Sequence, residues 1–248
     1  MVRPIVVKFG GSVITQKDRP FSLRRRVLYR LARELRASPS PVALVHGGGS
    51  FAHPLARKYR RNLVAGFFKI HQAMERLNSE VMLALAKARI QAFSLPPSSF
   101  IQVRGGEIAK SEVSLLKWLL KRGIVPVTYG DVFPDGKGGC ILSGDSIARH
   151  LAMRLHAKLV IFCLDVDGIY VREGNGLSLA REFSASNLPR VAELPAKSAD
   201  VTGGMRGKIE EILKLAEAPV DIYLINGLKE GLLSRALKGE RGLGTEIH

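Results

Sequence analysis

The chain has 248 residues, 46% of them hydrophobic, which is enough to fill a real core in one large domain or two small ones. Its 38 Lys and Arg against 22 Asp and Glu give a formal charge of +16, which points to anionic partners: nucleotides, phosphorylated metabolites, nucleic acid or a membrane surface. Two cysteines, Cys140 and Cys163, without a CxxC or a nearby histidine pair disfavour a zinc site or a disulfide framework; with no signal-peptide pattern and no long apolar span, a cytoplasmic protein is expected.

The first element is a buried strand in "PIVVKFGGS", Ile5 to Phe9, running into a glycine turn. A basic helix over about 22–37 follows, with Leu23, Val27, Leu28, Leu31 and Leu35 on one stripe. Arg24, Arg25, Arg26, Arg30, Arg33 and Arg36 fall mostly off that stripe, as on the solvated face of a packed helix, with RNA or membrane contact as the alternative. "PVALVHGGG" is a second strand entering a glycine turn, with a helix from Ser50. A long helix is predicted from about Phe67 to Phe93, closed by "SLPPSS". A strand near 99–103, a helix near 112–122 and a strand in "GIVPVTYGDV" come next. "FPDGKGGCIL" reads as a hairpin turning at Asp135-Gly136. The remaining pattern is a helix from Ser143, a buried strand in "KLVIFCLDVDGIYV", a polar loop, a helix from about Met205 to Glu217, the strand "VDIYLIN", a short helix and a terminal "GTEIH". Strands and helices alternate nearly throughout, so the expected class is α/β with a mostly parallel central sheet in a single domain.

Glycine clusters stand where strands end or helices begin: Gly10-Gly11, Gly47-Gly48-Gly49, Gly144 and Gly203-Gly204. In an open α/β sheet ligands lie outside the carboxyl ends of the strands, and glycine lets backbone N–H groups close on an anion. A phosphate site is therefore expected. The chain holds no GxxxxGK[ST], no dinucleotide fingerprint with its acid, and no nucleophile elbow in "GGGSFA". Phosphoryl transfer needs positioning and positive charge on the transferring oxygens, and Lys8, Lys17 and Lys208 each lie beside a glycine turn. A charge ending a strand as apolar as "PIVVKF" needs a partner, which singles out Lys8 from an ordinary surface lysine. His46 continues an apolar run and reads as structural. His53 sits behind the triglycine, where its ring can reach an anion at the helix start; position alone leaves open whether it touches one.

These motifs resemble the amino acid kinase superfamily and, within it, the isopentenyl phosphate kinases. "KFGGSVITQK" is similar to the superfamily's opening K-x-GGS, with the branch's further lysine at Lys17, and "VHGGGSFAHP" resembles the branch motif GGGSFGH. "GDVFPD", "SGDSIA", "DVDGIYV" and "DVTGGMRGK" follow in the family's order, so the resemblance spans the chain from Lys8 to "GTEI". Ala52 stands where the family usually has glycine, a small change if φ is negative there and a strained one otherwise.

The resemblance implies a three-layer αβα sandwich and an ATP-dependent kinase converting isopentenyl phosphate to isopentenyl diphosphate. Lys8, Gly10, Gly11 and Ser12 would hold the ATP phosphates, with Gly49 on the same side, and Lys17 would stabilise the γ-phosphoryl group in transfer. Gly48, His53 and Gly144 would bind the acceptor phosphate. Asp165, Gly168 and Tyr170 would line the nucleotide, and Gly204 and Lys208 would close over its phosphates. Lys17, His53 and Lys8 are thus the candidate catalytic residues, Mg2+ accompanies ATP, and a homodimer is implied. His53 is assigned to binding and orientation, because an acceptor phosphate oxygen is already a nucleophile. An apolar acceptor tail would need a greasy wall, for which Phe67, Phe68, Met74, Leu77, Val81, Met82 and Ile141 are candidates, although such a stripe is also what plain core looks like. The rivals are a kinase of the same scaffold acting on another small phosphate or phosphonate (fosfomycin-type), and a nucleotide-binding regulator or RNA-binding module suggested by charge alone.

Overall fold

A computed structural model describes residues 3–136, 138–174, 176–192, 204–216 and 218–248. The first half comprises β1 (Ile5–Phe9), α1 (Gly11–Ile14), α2 (Arg25–Leu35), β2 (Val42–His46), α3 (Gly49–Lys58), α4 (Leu63–Lys87) and β3 (Ala92–Ser94). The middle comprises β4 (Ile101–Arg104), β5 (Glu107–Ser111), α5 (Ser114–Lys121), β6 (Val125–Tyr129), β7 (Asp131–Phe133), β8 (Cys140–Leu142) and α6 (Gly144–Arg154). The last part comprises β9 (Leu159–Leu164), β10 (Tyr170–Glu173), β11 (Gly176–Leu179), β12 (Glu182–Phe183), α7 (Gly204–Leu213), β13 (Asp221–Asn226), α8 (Leu232–Leu237) and β14 (Thr245–Ile247).

Eight strands form one sheet in the order β12-β14-β13-β9-β1-β2-β6-β3, parallel except for the β13–β14 pair. Strands β1, β2 and β9 are buried at every position because both faces are covered. On β1, Ile5, Val7 and Phe9 pack with α2, α3, α4 and α8, whereas Val6 joins the opposite core with α5, α6 and α7. The period of two along the strand divides the core into two clusters and makes the predicted three layers. It also decides the site: Lys8 shares the Val6 side and so points toward α6.

Hairpins β4–β5, β7–β8 and β10–β11 project from this frame. The β7–β8 hairpin is the one expected around Asp135-Gly136; Lys137 lies outside the described residues. The β4–β5 hairpin, turning at Gly105-Gly106 with φ of 61° and 81°, occupies the region read as a lone strand near 99–103.

The long helix ends at Lys87, not near Phe93, and Phe93 lies on edge strand β3. Arg89 takes the left-handed conformation (φ 56°), its N–H donating to the Ala86 carbonyl while that of Ile90 donates to Leu85. This is a Schellman stop built on arginine, where glycine is the usual signal. The helix expected at Ser143 begins there: the Ser143 hydroxyl accepts the Ser146 N–H at 3.0 Å, a cap worth about 1 kcal/mol.

The basic helix is only partly a solvated face. Arg25, Arg26, Arg33 and Arg36 are exposed, as expected. Arg24 instead donates to the Thr15 carbonyl at 3.1 Å, and Arg30 donates to the carbonyls of Gly227 and Lys229 and pairs with Glu34 at 2.6 Å. Glu34 accepts N–H groups from Gly231, Leu233 and Ser234, so two charges of α2 hold the start of α8. Among the described residues, no helix is long and apolar enough to cross a membrane.

Candidate active site

The parallel strands end at one edge of the sheet, each leaving it by a hydrogen bond to its neighbour. Gly10 N–H donates to Cys163, Gly47 to Phe9, Gly130 to His46 and Gly227 to Leu164. At that edge the turn after β1, the turn after β2 and the start of α6 touch backbone to backbone. A methyl group on Gly11 would lie 2.3 Å from the Gly49 nitrogen, and one on Gly144 would lie 2.9 Å from the His46 carbonyl oxygen. Gly49 has φ 48°, and a methyl there would meet the Thr15 hydroxyl at 2.1 Å. Thr15 stitches the two turns, donating from Oγ1 to the Gly11 carbonyl at 2.6 Å and accepting the Ser50 N–H at 2.9 Å. Gly10-Gly11, Gly47-Gly48-Gly49 and Gly144 thus form one junction, and side chains would force its turns apart.

Lys8 reaches Asp145, the second residue of α6, with Nζ 2.7 Å from Oδ1. Lys208, on the first turns of α7, lies 2.6 Å from Oδ2 of the same carboxylate. Helix α7 is held by Ile209 and Ile212 in the core and by Arg149 of α6, whose Nε donates to Glu211 at 2.7 Å. Burial alone would push the Asp145 carboxyl up, but Lys208 and Lys8 override it and hold it below the usual carboxylate range. The buried Lys8 and the part-buried Lys208 thus share one carboxylate beside the junction.

Lys17 pairs with Asp165, the first residue after β9, at 2.9 Å. Burial opposes ionisation of Asp165, but Lys17 and a hydrogen bond from Ser12 bring its pKa below the ordinary value. Ser12 follows Gly11 on α1, so the first glycine turn and the loop after β9 share this carboxylate. Asp167, two residues on, accepts Asn226 Nδ2 at 2.8 Å, pairs with Lys229 at 2.6 Å and lies 3.5 Å from the Tyr170 hydroxyl. Gly168 packs on β14, where a methyl would fall 2.4 Å from the Thr245 hydroxyl oxygen. Gly204 opens α7, while Gly203 and the rest of the motif from Asp200 to Thr202 lie outside the described residues.

His46 is structural, as expected: fully buried, stacked on Tyr129 with centroids 5.2 Å apart, and within 3.2 Å of Asn78 Oδ1 and 3.3 Å of the Gly47 carbonyl. Burial lowers its pKa to about 4, so the ring is neutral at pH 7. His53 is half-buried in the second turn of α3, behind Gly48 and Gly49. Ala52 has no positive φ, so it sits in the helix without strain; its Cβ would be 2.4 Å from a methyl on Gly48. The apolar candidates divide. Leu77 and Val81 are fully buried core and Phe68 is 72% exposed. Met74 packs beside Gly48, Phe67 lies against Gly139 of the β7–β8 hairpin, and Ile141 is half-buried on that hairpin.

Sequence reasoning missed Asp145, although it sits inside the "SGDSIA" motif: nothing local marks it off from the other acids. It also missed Thr15, for which the sequence carries no signal.

The profile of the Amino acid kinase family matches residues 3–226. An isopentenyl phosphate kinase of Methanothermobacter thermautotrophicus is 40% identical, covering 98% of both chains. One of Methanocaldococcus jannaschii is 34% identical over 98% of this chain and 97% of its own. A solved structure described as "X-ray structures of isopentenyl phosphate kinase" superposes with a TM-score of 0.85 at 37% identity, covering 98% of this chain and all of that one. The resemblance in the motifs and the fold it implied are both borne out. The chain belongs to the amino acid kinase family.

Proposed function

We propose that the protein transfers the γ-phosphoryl group of ATP, which arrives with Mg2+, to the phosphate of isopentenyl phosphate, giving isopentenyl diphosphate and ADP. The observation that carries the reading is the glycine junction, where Lys8 and Lys208 meet on Asp145 and where Gly48 and His53 stand on the turn and helix after β2. The 40% identity to an isopentenyl phosphate kinase supports the choice of acceptor.

In this reading an oxygen of the acceptor phosphate attacks the γ-phosphorus. The bond from that phosphorus to the β–γ bridging oxygen breaks, and ADP leaves. Both substrates are anions, so the main task is to offset their repulsion within attack distance. Gly10, Gly11, Ser12, Gly49, Gly204, Lys8 and Lys208 hold the ATP phosphates, while Asp165, Gly168 and Tyr170 line the nucleotide. Lys17 exchanges Asp165 for the γ-phosphoryl oxygens. Gly48, Gly144 and His53 orient the acceptor phosphate. No base is needed, and Asp145, kept ionised by two ammonium groups, takes no proton at neutral pH. In this reading the N-terminal part of the domain binds the acceptor and the C-terminal part the ATP nucleotide, with Lys8, Gly10, Gly11, Ser12 and Gly49 reaching the ATP phosphates from the N-terminal part.

We place the enzyme in the cytoplasm as a homodimer. Support for the dimer comes from Phe93 on the three-residue edge strand β3 and from Leu83 on α4 and Leu115 and Trp118 on α5, all of them exposed apolar residues.

The test is ADP release with Mg-ATP and isopentenyl phosphate, dimethylallyl phosphate, fosfomycin, UMP, glutamate or acetylglutamate at equal concentrations. Preference for isopentenyl phosphate upholds the reading. Preference for fosfomycin or another acceptor keeps the kinase and replaces the substrate.

A further inference from the structure

Outside the lysine and glycine site, one buried charge among the described residues is unexplained by the chemistry above. Asp131 opens β7 with its side chain fully buried; Oδ1 accepts the Val132 N–H at 2.8 Å and Oδ2 lies 2.6 Å from Nδ1 of His71 on α4. His71 is 37% exposed, and its Nε2 approaches Glu75 at 3.5 Å.

The position of this pair gives it a use. Gly130, just before Asp131, belongs to the glycine junction, and a methyl there would lie 2.6 Å from the Gly144 nitrogen. The hairpin therefore leaves the junction at Asp131 and returns to it at Leu142, one residue before the α6 cap. Between those roots it carries Val132 paired with Ile141, which are buried and half-buried yet part of neither core cluster. Across from it, α4 presents Phe67 to Gly139, one turn before His71, and Met74 to Gly48, one turn after.

We propose that His71 is a positioning residue: its bond to Asp131 clamps the β7–β8 hairpin onto α4 and thereby sets the fit of the acceptor. This rests on the acceptor assignment above. With the ring removed, Asp131 keeps a single N–H partner in a site where burial already pushes its pKa up. The hairpin then has less to hold it over the acceptor side, while Lys8, Lys17 and Lys208 keep their places.

The experiment compares His71→Ala, His71→Asn and His71→Gln. An asparagine amide N–H takes the place of Nδ1, whereas glutamine mimics Nε2. His71→Ala and His71→Gln should raise KM for isopentenyl phosphate about tenfold with KM for ATP and kcat within about twofold, and His71→Asn should restore it. Hydrogen exchange on the free protein should quicken across 131–142 in the first two variants and not in His71→Asn. Equal acceptor KM in all four proteins, equal rises in both KM values, or unchanged exchange at 131–142 overturns the proposal. A wild type that ignores isopentenyl phosphate while the exchange contrast persists sinks the substrate reading and leaves the clamp standing.

Discussion

Lys8 and Lys208 meet on one carboxylate, 2.7 Å from Oδ1 and 2.6 Å from Oδ2 of Asp145, although they come from the first strand and from the last third of the chain. Asp145 thereby sets the distance between two cations and places both at the glycine junction.

Asp145→Asn removes the carboxylate charge that the buried Lys8 and the part-buried Lys208 share. Breaking a buried pair in this way costs on the order of 3–5 kcal/mol, and kcat should fall about a hundredfold because both cations shift. Thermal melts and steady-state kinetics read the two effects. The folded pKa of Asp145 lies below its unfolded value, so its contribution is present above the unfolded pKa, about pH 4, and is lost as pH falls further. The gap in Tm between wild type and variant should therefore be constant near neutrality and narrow below about pH 4.

Lys17→Met should behave differently. Its ion pair with Asp165 is 40% exposed on the lysine side, so stability should change by less than about 1 kcal/mol. If Lys17 meets the γ-phosphoryl group only in transfer, kcat should drop about 10²–10³-fold with KM for ATP changed severalfold at most. A melt shifted as strongly as that of Asp145→Asn would show that the lysine is structural.

His53→Ala should raise KM for the acceptor at least about tenfold and leave KM for ATP unaltered. His53→Asn, keeping a donor, should recover part of the loss. Because no base is required, the acid limb of the kcat profile should be the same with and without the ring; its disappearance in His53→Ala would assign proton transfer to this residue.

Gly49→Ala places a methyl 2.1 Å from Thr15 Oγ1 at φ 48°, which should cost roughly 1–3 kcal/mol and pull the two phosphate turns apart. Gly106→Ala has a positive φ but nothing within 4 Å, so it should cost about 1 kcal/mol and leave activity intact. Comparing melts and ADP release in the two variants separates contact from conformation.

Acid should destabilise the protein well above the carboxylate range. His46 and His150 both have pKa values lowered to about 4 by burial, with Arg149 and Arg154 adding to the effect at His150. Between about pH 6.5 and pH 4 the unfolded chain binds the extra protons, so stability rises with pH, by up to about 1.4 kcal/mol per unit for each ring. Tm should fall from pH 7 to pH 5, and His46→Gln should flatten that slope.

The sequence alone determined those features whose cause is local. "PIVVKFGGS" and "PVALVHGGG" are legible because a strand buried on both faces is mostly apolar, Lys8 and His46 apart, and a turn that admits no side chain must use glycine. Ser143 announced its helix because a cap acts on the next turn. The Gly105-Gly106 turn also had a local signal for its hairpin, and reading that region as one strand left it unused. Other features had no local cause. Arg89 ends α4 where glycine is usual, because the left-handed residue is stabilised by the bonds around it and not by its own type. Asp145 reads as one acid among twenty-two acidic residues until β1 and α7 bring Lys8 and Lys208 to it. His71 and Asp131 lie on different elements and meet only when the hairpin folds back on α4. Periodicity and turn chemistry act over a few residues, whereas a buried charge is held by whatever the whole fold places beside it; the tertiary structure alone decided those pairings.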